Sequence, residues 1–299
     1  MLSILIPVYN YDVSKLIFEI HKQALLENIV FEIIYLEDGS DNFVEENKSS
    51  IKNLEYCKTI ISTPNKGRTK SRQILADNAA YDWLLFLDAD VFPKSSAFIK
   101  NYITLLNSGF EVIYGGFAYK KTKPKPKHLL RWKYGSNYEQ LDAEKRNLKP
   151  YKIVISANVL IEKNIFCSIN SRIERRSYGL DNYFGAILKS ENIKVNHINN
   201  EVFHYGLDTN GDYLIKTKDA ISELLCLYHN NKDFAHENSL LNMFSALKKY
   251  RLNYFFALNF KLFNSIIEKN LIGNNPKMTL LQAYKILYMC HKDLKLAEK

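Results

Sequence analysis

Cysteine is scarce and scattered. The four residues, Cys57, Cys167, Cys226 and Cys290, are far apart and show no metal-site spacing. Free thiols in a reducing cytosol are expected, not a disulfide framework or a zinc site. No secretory leader is apparent, because Met1 runs straight into Leu2-Ser3-Ile4-Leu5-Ile6 with no basic residue before it. No uninterrupted apolar run approaches the length of a membrane span. There is no internal repeat and no long low-complexity segment. A nucleic-acid motif with interleaved aromatics is also missing, so nucleic acid is not an expected partner. These absences point to a cytoplasmic protein, soluble or peripheral at the inner face of the membrane.

What is present is ample material for a core. Of 299 residues, 46% are hydrophobic and 13% aromatic, so disorder is excluded as the default. That length allows one large domain, or one domain with an appendage. The net charge is +9. Such a surplus favours anionic partners, such as nucleotide phosphates or an acidic membrane surface.

Short apolar runs alternate with helical spacing over the first two thirds of the chain. Strands are expected at residues 2–8, 31–36, 57–62, 84–87 and 111–114. Between them, helices are expected near 14–25, 42–53, 69–80 and 95–107, the first with Ser14 as N-cap. This alternation predicts an α/β fold with a doubly wound, mostly parallel, Rossmann-like sheet. Ligands of such sheets sit at the carboxyl ends of the strands. The run Leu84-Leu85-Phe86-Leu87 ends in Asp88-Ala89-Asp90, and Phe31 to Leu36 ends in Glu37-Asp38-Gly39-Ser40. A turn at the strand end would bring Asp88 and Asp90 to one ligand. Oxygen ligands so spaced suit a hard divalent cation that also holds a diphosphate. A solvated Asp-x-Asp turn before a proline is the alternative.

Four motifs in register decide between them. Ser3-Ile4-Leu5-Ile6-Pro7-Val8-Tyr9-Asn10, Glu37-Asp38-Gly39-Ser40, Asn65-Lys66-Gly67 with Arg72, and Leu87-Asp88-Ala89-Asp90 resemble the family 2 glycosyltransferases, which have the GT-A fold. The resemblance covers about residues 1–210, leaving 211–299 as a helical C-terminal extension. It implies a nucleotide pocket lined by Pro7, Tyr9 and Asp38, with Arg72 near the base and Asp88 near the ribose. It also implies a divalent metal, Mn²⁺ or Mg²⁺, on Asp90. Glu37 stands where many relatives have an aspartate, and a carboxylate is kept. Lys66 and Arg68 are candidates to assist at the diphosphate, although loop cations are more often simply solvated.

Beyond residue 115 the composition changes. From Lys120 to Lys133 there are seven Lys/Arg, two prolines and no acid. Pro124 and Pro126 argue for extended chain there, either a loop over an anionic ligand or a solubilising surface loop. Trp132 offers a platform for sugar stacking, or else an anchor for that loop. Gly116 closes the strand at 111–114 and is a further candidate contact. Tyr151 to Ile161 resumes strand character, and its polar Ser156 and Asn158 require partners, in the backbone or on the sugar. Asp181 opens a helix. Aligned on Gly185, the family's Glu-Asp pair falls on Leu180 and Asp181, which implies that Asp181 is the general base. A helix cap is the competing role, and Glu174 is the next acid on that side. A histidine completes the metal site in many GT-A enzymes, and His204, in Val202-Phe203-His204-Tyr205-Gly206, is the candidate. A lone histidine beside an apolar run is otherwise structural.

From residue 211 the pattern is helical: 212–229, 238–250, 252–269 and 279–294. Leu252, Phe255, Phe256, Leu262, Phe263, Ile266 and Ile267 form an apolar stripe. Packing on the catalytic domain is expected, with an anionic membrane as the alternative. Together these features predict metal-dependent, inverting transfer of a sugar from a nucleotide-sugar, a UDP-sugar, to a saccharide or glycolipid hydroxyl in surface polysaccharide or glycolipid synthesis. Two rivals are a sugar-nucleotide pyrophosphorylase and a non-catalytic binder of nucleotide or anionic surface. Pyrophosphorylases usually have a glycine-rich first loop, and Pro7-Val8-Tyr9-Asn10-Tyr11-Asp12 lacks glycine.

Overall fold

The structure, a computed structural model, describes residues 1–173, 179–230 and 236–297. Its strands are β1 (Leu2–Val8), β2 (Phe31–Asp38), β3 (Cys57–Ser62), β4 (Trp83–Leu87), β5 (Val91–Pro93), β6 (Val112–Tyr114), β7 (Phe117–Ala118), β8 (Asn158–Glu162), β9 (Val195–His197) and β10 (Val202–His204). Seven of them form one sheet in the order β3-β2-β1-β4-β8-β6-β9. The first four run parallel, and β8 is antiparallel to both β4 and β6. Every residue of β2 is buried, as in a sheet covered by helices on both faces. Side chains of β1 alternate between two cores. Ile4 and Ile6 join the layer of helix Ser14–Leu26, while Leu5 joins that of helix Arg68–Asn78.

Helix Ser14–Leu26 buries Leu16, Ile17, Ile20 and Ala24, as their spacing predicts, but Leu25 is exposed. Ser14 is not its cap. Val13 holds that position, and the Asp12 carboxylate accepts from the Ser14 N–H at 2.9 Å. The expected strand at 151–161 shortens to β8, because turns from Lys149 to Lys152 and from Ile155 to Asn158 interrupt it. The basic segment is not extended throughout. Pro126 opens a helical turn, where its missing N–H costs nothing, and helix Leu129–Tyr134 follows. A second, three-stranded sheet, β5-β10-β7, was not legible, since strands of two or three residues carry no periodicity.

Helices Asn210–Asn230, Ser239–Lys249, Asn253–Ile272 and Met278–Ala297 complete the chain. Their core unites Tyr213, Phe260, Leu281 and Tyr284 with Leu130 of the basic segment. Buried Asn210 fixes that junction. Its side chain accepts from the Leu130 N–H at 2.8 Å and donates to the carbonyls of Pro126 and Gly273. The apolar stripe corrects an expectation. Ile267 is buried, but Leu252, Phe255, Leu262, Phe263 and Ile266 are exposed, and Ala257, Phe260 and Leu271 form the packed face. The helix is apolar on most of its circumference, so spacing alone could not choose the inner side. Among the described residues, no helix is long and apolar enough to cross a membrane.

Candidate active site

The loops that follow β1, β2, β3 and β4 meet at the carboxyl end of the sheet, and carboxylates hold them there. Glu37, buried at the end of β2, accepts from Ser40 Oγ at 2.6 Å and from Asn47 Nδ2 at 2.8 Å. Asp38 accepts from the backbone N–H groups of Lys66 at 2.6 Å and Gly67 at 2.8 Å. Gly39 seals the junction: its φ is +70°, and a Cβ would stand 2.5 Å from the Asn65 nitrogen. Only glycine meets both demands at low cost. Lys66 therefore contributes its backbone to Asp38, and its side chain does not line the cleft. Pro7, Tyr9 and Asp38 do line it, in a cavity of about 850 Å³ that extends past Asp88 and Asp90 to Asp181.

Asp88 lies in the turn after β4, between two arginines. Arg68 Nη2 donates to its Oδ2 at 2.8 Å, and Arg72 donates to its Oδ1. Both guanidinium groups also hold Ser156, Arg68 at the hydroxyl (2.9 Å) and Arg72 at the carbonyl (3.0 Å). Burial, and then the like charge of Arg68, lower the Arg72 guanidinium to about 10, while Asp88 opposes the shift. At neutral pH the group still carries its charge.

Asp90 is brought to His204 by strand pairing. β10 runs antiparallel to β5 with His204 opposite Val91, and the Tyr205 N–H donates to the Asp90 carbonyl at 2.9 Å. His204 Nε2 then stands 3.4 Å from Asp90 Oδ2. Burial works to raise the Asp90 carboxyl, but the hydrogen bond and charge of His204 prevail and hold it below the usual range. Gly206 closes over the pair, since a Cβ there would lie 1.7 Å from Asp90 Oδ2. His204 Nδ1 is buried with no hydrogen-bond partner. Burial, and then Asp90, raise the Tyr11 hydroxyl, which faces the same cleft.

This donor set fits a divalent cation. Two ligand atoms about 2.1 Å from an ion and at right angles stand about 3 Å apart, close to the observed pair. The carboxylate suits a hard cation such as manganese or magnesium, while the imidazole is a borderline ligand that favours manganese over magnesium. Among the described residues no group of three or more His, Cys, Asp or Glu forms a metal site. Asp90 and His204 would thus supply only a partial shell, of the kind that substrate phosphates and water complete.

Asp181 stands at the far end of the cleft as the first residue of helix Asp181–Ser190. Leu180 holds the cap position, without a side-chain capping bond, so Asp181 does not act as the N-cap. It also borders a cleft of about 680 Å³ between the sheet domain and the C-terminal helices, lined by Asn182, Thr217, Gln282 and Lys285. Glu174 lies outside the described residues.

Three expected sugar contacts face elsewhere, and these are corrections. Asn158 is fully buried; its side chain accepts from Tyr102 OH at 2.7 Å and donates to the carbonyls of Gly116 and Asn200, both at 2.9 Å. Gly116 gives its carbonyl to Asn158 and to the Val202 N–H, joining β7 to β10. Trp132 donates from Nε1 to the Lys120 carbonyl at 3.0 Å and anchors the basic loop. Among those three and Ser156, only Ser156 reaches the cleft. Sequence reasoning missed Arg131 and Glu139, which line the cleft as a 2.9 Å ion pair. The dense charge of the basic segment hid that one buried cation. Gly206 was visible as a residue but not as a requirement, because its neighbour Asp90 is remote in sequence.

Sheet order, strand directions and the acidic turn after β4 define a GT-A fold, and comparison with known proteins agrees. The family model "Glycosyl transferase family 2" matches residues 3–167, and the chain belongs to that family. A curated relative, described as an uncharacterized glycosyltransferase of Haemophilus influenzae, is 28% identical over 122 residues. The match takes in 40% of this chain and 48% of the relative, about half its length. Among solved structures, S. aureus TarS 1-349 superposes with a TM-score of 0.53 at 13% identity, covering 99% of this chain and 91% of that one. The Pyrobaculum calidifontis mannosyltransferase PcManGT, in complex with GDP-Man and Mn²⁺, gives 0.58 at 9% identity, covering 100% and 87%. Glucosyl-3-phosphoglycerate synthase from Mycobacterium tuberculosis, with Mn²⁺, UDP and its glucosylated product, gives 0.53 at 14%, covering 76% and 79%.

Proposed function

We propose that the protein transfers a sugar from a UDP-sugar to a hydroxyl of a saccharide or glycolipid acceptor, with inversion, in cytoplasmic synthesis of a surface polymer. The observation that carries this is the convergence of Asp88, Asp90, His204 and Asp181 on one cleft. The solved relatives that hold Mn²⁺ with GDP-Man or UDP support the same chemistry. Asp90 and His204 would hold the divalent metal. When bound, that metal neutralises the charge of the departing diphosphate.

The chain's own groups supply the rest. Pro7, Tyr9 and Asp38 bound the nucleotide end, and Asp88, fixed by Arg68 and Arg72, orients the ribose. Asp181 accepts the acceptor hydroxyl's proton on its carboxylate as that oxygen attacks the anomeric carbon. The new C–O bond forms opposite the bond to the diphosphate, which breaks with its electron pair. Arg68, half-exposed at the cleft, adds positive charge beside the leaving group. Residues 1–210 would be the catalytic domain and 211–299 the wall of the acceptor cleft. Thermal denaturation in UDP-sugars, each with and without Mn²⁺, tests this reading. A ligand that binds the native state raises the midpoint, and the rise should need the metal. No shift with any nucleotide-sugar in Mn²⁺ would contradict it.

A further inference from the structure

Helix Asn253–Ile272 has two apolar faces, and only one is covered. Ala257, Phe260, Ile267 and Leu271 pack inward. Tyr254 (62% exposed), Phe255 (63%), Leu258 (54%), Leu262 (64%) and Ile266 (69%) point the other way. The last four recur every three or four residues, so they form one stripe about 16 Å long. Contiguous exposed apolar surface of this kind marks an interaction site.

Charge on the same face identifies the partner. Lys269, one turn after the stripe's last residue, lies near its line and is exposed, exposed Lys261 flanks it, and exposed Arg251 stands in the turn that leads into the helix. The helix's one acid, Glu268, is engaged elsewhere, by Lys218 at 2.9 Å and by Tyr284 OH at 2.6 Å. The outer face is therefore apolar, with Lys261 at its edge and Lys269 near its C-terminal end. A second copy fits it poorly: two such helices packed antiparallel about the middle of the stripe would set the flanking Lys261 of each beside that of the other, with no acid between them. An anionic lipid surface matches both features, because the apolar side chains enter the acyl boundary while the long cationic stems reach the headgroups. The helix is not apolar enough to span a bilayer, and it would lie in the plane of the interface.

We propose that this face of helix Asn253–Ile272 docks the protein on an anionic lipid bilayer. This extends the proposed function by setting the enzyme beside a lipid-borne acceptor, but it rests on the helix and not on the donor chemistry.

Co-sedimentation of the full chain with phosphatidylcholine vesicles, with and without phosphatidylglycerol, tests it. Partition into the anionic vesicles should exceed that into neutral ones by about tenfold and fall as salt rises. A triple substitution, Phe255→Ser with Leu262→Ser and Ile266→Ser, should abolish partition, and Arg251→Glu with Lys269→Glu should remove the anionic preference. All five positions are exposed, so the melting temperature should hold, and UDP binding in Mn²⁺ on the same preparations should stay at the parent value. No partition of the parent into anionic vesicles would overturn the proposal, as would partition of the triple variant equal to the parent's. So would a parent dimer, by light scattering, that the triple variant dissolves while vesicles bind neither. Intact vesicle binding without UDP binding would strike only the catalytic reading.

Discussion

Gly206 stands so close to Asp90 that a Cβ on it would fall 1.7 Å from the carboxylate Oδ2. Its φ is not in the left-handed region, so alanine carries no backbone strain there and acts only as a wedge. Gly206→Ala should displace the Asp90 side chain from His204 while the fold persists. The Mn²⁺ concentration for half-maximal activity should rise at least ~10-fold, with the melting temperature within a few degrees of the parent, because the clash is with the end of one side chain. His204→Ala should act in the same direction. An unchanged metal requirement in both variants would return Asp90 and His204 to a structural role.

Asp181 is the base candidate whose competing role as a helix cap the geometry does not support. Asp181→Asn keeps the size and removes the basicity. Turnover should fall by at least ~10²-fold, the low end for a positioned base, with UDP affinity nearly unchanged. A structural role would instead show as a lower melting temperature with near-parent turnover. Both quantities measured on one preparation separate the outcomes.

Asn158 should behave as a core residue. Asn158→Ala leaves Tyr102 OH and the carbonyls of Gly116 and Asn200 without its side chain. Unpaired buried groups of this kind cost about 1–3 kcal/mol each, moderated by relaxation, so a total of about 3 kcal/mol is expected. For a chain of this size the melting temperature should drop by roughly 5 °C. A parent-like melting temperature with a raised KM for the sugar donor would show instead a sugar contact.

His197 sets an acid limit on stability. Burial is the main reason its imidazole is lowered from 6.5 to about 4; the Pro150 carbonyl opposes the shift, and the Arg146 charge adds to it. The ring is neutral in the fold, donating from Nε2 to Pro150 O at 2.8 Å and accepting at Nδ1 from Arg146 at 2.9 Å. Between pH 6.5 and 4 the unfolded chain binds a proton that the folded chain refuses. Stability therefore falls as pH falls through that window, by up to about 1.4 kcal/mol per pH unit from this group. His197→Gln keeps one donor and one acceptor but no titrating ring, and should show a flatter midpoint between pH 4.5 and 6.5. The carboxylates shared by both proteins cancel in that comparison. An identical slope would remove His197 from the acid response.

The sheet was legible because its parallel strands are buried on both faces and so read as unbroken apolar runs, such as Leu84 to Leu87. The acids at the ends of β2 and β4 were legible for the same reason: they stop those runs. What could not be read depends on contacts distant in the chain. Arg68 bridges Asp88 and Ser156 through folding alone. Asn158 and Ser156, two residues apart, face a core network and the cleft respectively, and strand alternation did not decide which, since a turn interrupts the segment. The exposed side of helix Asn253–Ile272 was hidden because both of its faces are apolar.

The most direct test is a calorimetric titration of UDP into the parent and into Asp90→Asn, each with Mn²⁺ and with chelator in its place. The parent should bind UDP in Mn²⁺ and lose at least ~10-fold in affinity in chelator, while Asp90→Asn should bind weakly and alike in both, because one charged ligand of the ion is gone. Equal UDP affinity for the parent in Mn²⁺ and in chelator would contradict a metal-assisted nucleotide-sugar site at Asp90.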